Sequence, residues 1–140
     1  MSCMGAKTVK KTGAIVVDND LAAYCPDLEA WPTQWQYEDC DKVPGRQIVA
    51  CFTPFLLHLL GSNLSPKTRR LHRDNLWRLG GELIRELWET PKLRKRSIAN
   101  LIATAIDDEG GPLLSHHPSE EDQRAFDSTC RKFHRYLRQR

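Results

Sequence analysis

The stretch Leu64-Ser65-Pro66-Lys67-Thr68-Arg69-Arg70-Leu71-His72-Arg73-Asp74-Asn75-Leu76-Trp77-Arg78-Leu79 decides the fold class. Ser65 is placed to accept a hydrogen bond from a backbone N–H two or three residues on. Pro66 follows at the first helical position, where its missing N–H costs nothing. Downstream, Leu76, Leu79, Leu83, Ile84 and Leu87 recur at helical spacing, so the element runs as one amphipathic helix from about Pro66 to Trp88. Gly80-Gly81 interrupts it at a cost of about 1 kcal/mol per glycine relative to alanine, and a pair so placed points to close helix packing.

Outward from this helix the chain reads as helices on both sides. Gln47 to Leu60 is apolar, with Pro54 either kinking one helix or opening a second behind Thr53, and Gly61-Ser62-Asn63 closes it. After Thr90-Pro91, the residues Ile98, Leu101, Ile102, Ala105 and Ile106 form a further buried stripe that ends at Gly110-Gly111-Pro112. Ser119, followed by Glu120, Glu121 and Asp122, starts the last helix with acids at the positive end of its dipole. Along it Phe126, Cys130, Phe133 and Leu137 are spaced four, three and four apart. The expectation is an all-α protein, a small bundle of four to five helices with an irregular N-terminal arm. Residues 14–17 are a candidate short strand.

The chain of 140 residues is about one domain in size, 40% hydrophobic and 28% charged, which is globular in composition. It divides into a tail and acidic, Trp-rich arm at residues 1–45 and a helical domain at 46–140. The first part carries four Lys against seven Asp/Glu, the second seventeen Lys/Arg against eleven Asp/Glu. A basic body of this kind suits an anionic partner. The apolar run Ala14 to Val17 is too short for a signal peptide core, and no apolar run reaches the roughly 20 residues that span a bilayer. Five widely spaced cysteines fit a reducing, cytoplasmic setting, and no membrane partner is expected.

The cations concentrate on helix faces. Lys67, Arg78 and Arg85 lie near whole turns of one another, opposite the leucines, while Arg69, Arg70 and Arg73 crowd the first two turns. Positive charge there opposes the helix dipole, so it needs another reason, and phosphate contact supplies one. Arg124, Arg131, Arg135 and Arg138 share a face of the last helix, and Lys92, Arg94, Lys95 and Arg96 load a connector.

Two runs resemble a known family. Phe55-Leu56-Leu57 with Leu59-Leu60, then Leu64-Ser65-Pro66-Lys67-Thr68, then Arg73 to Leu79, are similar to the start of the core-binding, SAM-like domain of tyrosine recombinases and phage integrases. Ser128-Thr129-Cys130-Arg131-Lys132-Phe133-His134-Arg135-Tyr136-Leu137 resembles its closing helix. The resemblance covers about residues 50–137 and implies a helical bundle that clamps DNA through its backbone, as in DNA recombination by mobile elements. It implies phosphate contacts around Ser65, Lys67, Thr68, Arg69 and Arg70. To these the charge pattern adds Arg73, Arg78, Lys95, Arg96, Arg131 and Arg135. Only Arg138-Gln139-Arg140 follow the last apolar position, so the catalytic domain of that family is not expected here.

Catalytic and metal readings find less support. Tyr136 lies on a helix with a packing role, whereas a phosphoryl-transfer tyrosine needs cations converging from separate elements. The cysteines lack the close ligand pairs of structural zinc, and His116-His117 is an isolated pair, so no metal and no cofactor is expected. Cys51 and Cys130 read as core residues, and His58 and His72 as helix-surface or boundary residues. Trp31 and Trp35 could stack on bases, but in an acidic arm they read as packing on the body. The sequence therefore points to a non-catalytic DNA-binding protein. The alternative is an adaptor or accessory subunit that engages a protein partner through residues 18–45.

Overall fold

The computed structural model describes residues 20–139, and the candidate strand at 14–17 lies outside them. The fold is all-α: α1 (Trp31–Trp35), α2 (Lys42–Leu60), α3 (Pro66–Glu89), α4 (Ile98–Ala105) and α5 (Glu120–Arg138), with short 3-10 turns at Leu28–Ala30, Asp39–Asp41 and Pro91–Lys95. A helical turn at residues 20–24 precedes them. Among the described residues the nearest thing to a sheet is one isolated bridge, Asp107 to Gly110.

Each of the three main caps is a serine followed three residues later by the amide it satisfies. Ser65 accepts from the Thr68 N–H at 3.1 Å, Ser97 from Asn100 at 3.1 Å and Ser119 from Asp122 at 3.0 Å. Pro54 neither ends nor divides α2. The carbonyl it leaves unpaired, four residues back, belongs to Ala50, which faces solvent, and water can take the place of the missing N–H.

α2 is the centre of the bundle. Ile48, Phe52, Phe55, Leu56 and Leu59 are fully buried, facing Leu76, Leu79, Ile84 and Leu87 of α3 and Phe126 and Phe133 of α5. Phe52 meets Phe133 edge-on at 5.6 Å between ring centroids, and Phe55 stacks on Phe133 at 4.8 Å. Residues Asp39–Leu60 are long and apolar enough to cross a membrane by length and composition; in this fold their apolar side is the protein core. Ile98, Leu101, Ile102 and Ile106 close the bundle at α4, with Ala105 half-buried.

The segment before α2 belongs to the same core. Tyr24, Cys25, Trp31 and Trp35 are buried in it, and the boundary drawn at residue 45 falls inside α2, which begins at Lys42. Trp35 explains the double glycine. A Cβ on Gly80 would lie 2.1 Å from Cζ2 of Trp35, whereas one on Gly81 would lie 3.5 Å from its Cδ1. The indole rests where the side chain of residue 80 would be, and its Nε1–H donates to the carbonyl of Trp77 at 2.9 Å.

α3 and α5 run antiparallel, joined by a buried polar cluster. His72 Nδ1 lies 2.7 Å from Thr129 Oγ1, and Asn75 Nδ2 donates to Thr129 Oγ1 and to the Ala125 carbonyl at 3.0 and 3.1 Å. His72 is thus a buried residue, 5% exposed, and not the boundary residue its spacing suggested. Thr129 accounts for the difference, because it supplies the partner that a buried imidazole needs. Burial, helped by the nearby charge of Lys132, lowers the pKa of His72 and favours its neutral form.

The two glycines are expected to respond oppositely to alanine. Gly80→Ala must displace the rigid indole and is expected to destabilise the protein by about 1–3 kcal/mol. Gly81→Ala meets an ordinary contact, gains helix propensity and should be neutral or stabilising by up to about 1 kcal/mol. Urea denaturation of the two variants compares them directly, and equal midpoints would refute the role assigned to Trp35.

Candidate functional site

The antiparallel pairing brings the start of α3 and the end of α5 to one end of the bundle. The end of α2 joins them there: His58 packs on Tyr136 at 4.8 Å between ring centroids, and Tyr136 on Phe55 at 5.3 Å. Lys67, Thr68, Arg69 and Arg70 therefore share this end with Arg135, Arg138 and Lys132.

Arg69, Arg70 and Arg73 line one open pocket of about 400 Å³, together with Tyr24, Leu60 and Pro66; Asp20 stands at its wall. The three arginines have different duties. Arg73 is an anchor: its Nη1 donates to the Tyr24 carbonyl at 2.8 Å, its Nε donates to Asp74 at 2.9 Å, and its guanidinium lies 5.7 Å from the centre of the Tyr24 ring. Arg69 is half-buried, donates at 3.5 Å to the Leu60 carbonyl, and its own carbonyl accepts from the Tyr24 hydroxyl. Burial raises the pKa of that hydroxyl, which keeps it a donor. Arg70 and Lys67 are exposed, and no ion pair among the described residues takes up either charge.

Ser65 and Thr68 are spent mainly on the helix start. The Ser65 hydroxyl donates to Thr68 Oγ1 at 3.0 Å while accepting from the Thr68 amide. Arg78 is exposed midway along α3. Arg131 lies on the side of α5 away from α3, where its Nη1 donates to the Glu109 carbonyl at 3.3 Å. There the loop before α5 packs closely: Gly110 has a φ of 145°, a conformation that suits glycine, and a Cβ on it would strike Asp127. Arg135 is exposed in the last turn of α5.

Lys95 and Arg96 are not brought to this end. They are exposed just beyond the other end of α3, a helix of 24 residues and so about 36 Å long. Their neighbour Arg94 donates to Asp41 Oδ1 at 2.7 Å. Asp41 is fully buried and also accepts from the Tyr37 and Glu38 amides at 2.8 and 3.0 Å. Burial alone would raise the pKa of this carboxyl, but the Arg94 and backbone hydrogen bonds outweigh it and hold the value below the ordinary one.

Trp77, Trp88 and Lys132 are absent from the sequence-based set. Trp77 and Trp88 are exposed at 40% and 49%, and a signal for them existed. They are eleven residues apart, three turns, on a stripe of their own beside the leucines. Trp31 and Trp35, by contrast, are buried, so their faces are not open to bases. No group of three His, Cys, Asp or Glu side chains among the described residues could hold a metal ion.

Comparison of the chain with known protein families, curated proteins and solved structures returns no match. The fold and the site together are those of an all-α helical bundle with an arginine-lined pocket at one end.

The Asp41–Arg94 pair makes a pH prediction. Because the folded-state pKa lies below the unfolded value of about 4, the pair stabilises the protein at neutral pH and loses that contribution as pH falls through the folded-state value. Asp41→Asn should cost about 2 kcal/mol at pH 7 and flatten the acid limb of stability against pH. Urea unfolding from pH 7 down to about 3 tests this, and parallel curves for variant and wild type would count against it.

Proposed function

We propose that the chain is a non-catalytic DNA-binding protein that grips the phosphate backbone with the basic end of the α3–α5 pair, in the way its resemblance to an integrase core-binding domain implies. The observation that carries this reading is the convergence of Arg69, Arg70 and Arg73 on one open pocket beside the first turn of α3. Guanidinium groups gathered at a helix start, where the dipole is positive, are a favourable place for a phosphate. Lys67, Lys132 and Arg135, near the same end, extend the positive surface. Within that surface Arg70 and Lys67 meet the polymer, while Arg73 and Arg69 hold the pocket open against Tyr24. The packing of Tyr136 between Phe55 and His58 supports a structural role for that tyrosine and a protein without strand-transfer chemistry.

A salt titration of binding to duplex DNA tests the reading. Log affinity should fall linearly with log salt, with a slope near −0.9 for each phosphate contacted. Lys67→Glu with Arg70→Glu should weaken binding at low salt by about tenfold or more and flatten the slope by one to two contacts. Binding that ignores salt, or a double variant as tight as wild type at low salt, would overturn it and leave the protein-adaptor alternative in its place.

A further inference from the structure

The arginine pocket is one end of a longer feature. A second cleft, of about 630 Å³, shares Arg73 with it, and a third, of about 510 Å³, shares Gln34, Trp77 and Arg78 with the second. The three form a trough along α3, walled by the N-terminal arm and, at the third cleft, also by residues 114–118 and Asp122. On α3 it extends from Pro66 to Arg85, nineteen residues or about 28 Å at 1.5 Å per residue. Trp77 stands as the partition between the second and third clefts, since it lines both.

Several features of this partition point to a ligand with flat, apolar faces and negative charge. The indole is 40% exposed, yet it is held in place, because its Nε1–H donates to Gln34 Oε1 at 2.8 Å. Gly81 lines the third cleft without a side chain of its own, next to the edge of the Trp35 indole. Tyr37, in the wall of that cleft, is 51% exposed and stacks on Trp88 at 5.0 Å between ring centroids. Between these aromatic groups lie cations: Arg78 lines both clefts, and Arg85 lies two turns further on, 3.0 Å from Glu89. Acids are present too: Asp74 is matched by a cation, whereas Glu82 keeps its charge beside a neutral serine. Asp74 accepts from Arg73, and Glu82 accepts from the Ser115 amide and hydroxyl at 3.2 and 2.8 Å. Asp27 and Asp122 stand on the other walls, and Arg78, exposed and in no ion pair among the described residues, is the cation of the α3 edge left free for a phosphate.

We infer that this trough binds an unpaired, single-stranded stretch of DNA, with bases stacked in the clefts on either side of Trp77 and the intervening phosphate held by Arg78. The inference rests on the DNA-binding reading above and specifies the form of polymer the protein takes. A duplex cannot use the clefts, because its bases are already stacked on one another. A single strand can, and a base on an aromatic platform contributes about 1–3 kcal/mol whatever its sequence. The trough also leads directly to Arg70, so one strand can reach both the platform and the arginine pocket.

The test measures binding of the full chain to a labelled oligothymidylate of about twelve nucleotides, to an oligouridylate of the same length and to a duplex of that length, at about 50 mM salt. Trp77→Ala removes the platform. Gly81→Leu fills the third cleft from a position whose Cβ meets only ordinary contacts, so it keeps the test valid if the first variant folds poorly. Each variant should weaken single-strand binding about tenfold, as the loss of one stacked base predicts, and leave duplex binding within about twofold. Indole fluorescence should be quenched by the single strand and not by the duplex. The oligothymidylate should bind at least as tightly as the oligouridylate; clear preference for the oligouridylate would overturn the assignment to DNA. If the duplex binds but neither variant weakens the single strands, the trough inference falls and the backbone reading stands. If no nucleic acid binds at this salt, both fall.

Discussion

The rest of the structure depends on the seating of Trp35 on Gly80. A rigid indole occupies the volume of a missing side chain, and its N–H bonds to the Trp77 carbonyl. This contact joins the N-terminal arm to α3 in a fixed register. Gln34, one residue before Trp35, can then reach the Trp77 indole, and Tyr37, two residues after it, can reach Trp88. The trough beside α3 exists because the arm is held along the helix at this spacing. Glycine lowers helix propensity at this position, and the buried indole offsets that with apolar contact and a satisfied N–H.

Charge does two kinds of work in the molecule. The acidic arm and basic body, which looked like signals to outside partners, are partly complementary to each other. Arg94 reaches back to buried Asp41, and Arg73 to the Tyr24 carbonyl. Both arginines secure the arm with charge-assisted hydrogen bonds, which are stronger than neutral ones. The cations left on the surface, Lys67, Arg70, Arg78 and Arg135 among them, are the ones available to an anionic ligand. Net charge alone could not make this separation, since it counts an internal tie and a solvent-facing side chain alike.

The candidate site was legible in part. Spacing on α3 identified Arg69, Arg70 and Arg73 as a cluster, and they do line one pocket. It could not show that Arg73 anchors the arm, because its partner carbonyl is 49 residues away in sequence. It grouped Lys95 and Arg96 with the rest, although a 24-residue helix separates them from the pocket. It read His72 as a boundary residue because Thr129, the partner that lets it be buried, lies on another helix 57 residues on. Trp77 and Trp88 are legible in their three-turn spacing, but spacing alone does not show that the arm leaves them exposed.

Sequence by itself determined the helices, their caps and their buried faces. Serine caps, a proline at the first helical position and apolar spacing of three and four are local features that act within a few residues of where they are written. α3 thus forms from Pro66 to Glu89, within a residue of where its pattern ends. Tertiary structure decided which side chain fills which gap: that the double glycine is a seat for Trp35, that the arm belongs to the core, and that two of the arginines face inward. Those outcomes depend on contacts between residues tens of positions apart. They are set by volume and hydrogen-bond satisfaction in the packed bundle, which no local periodicity records.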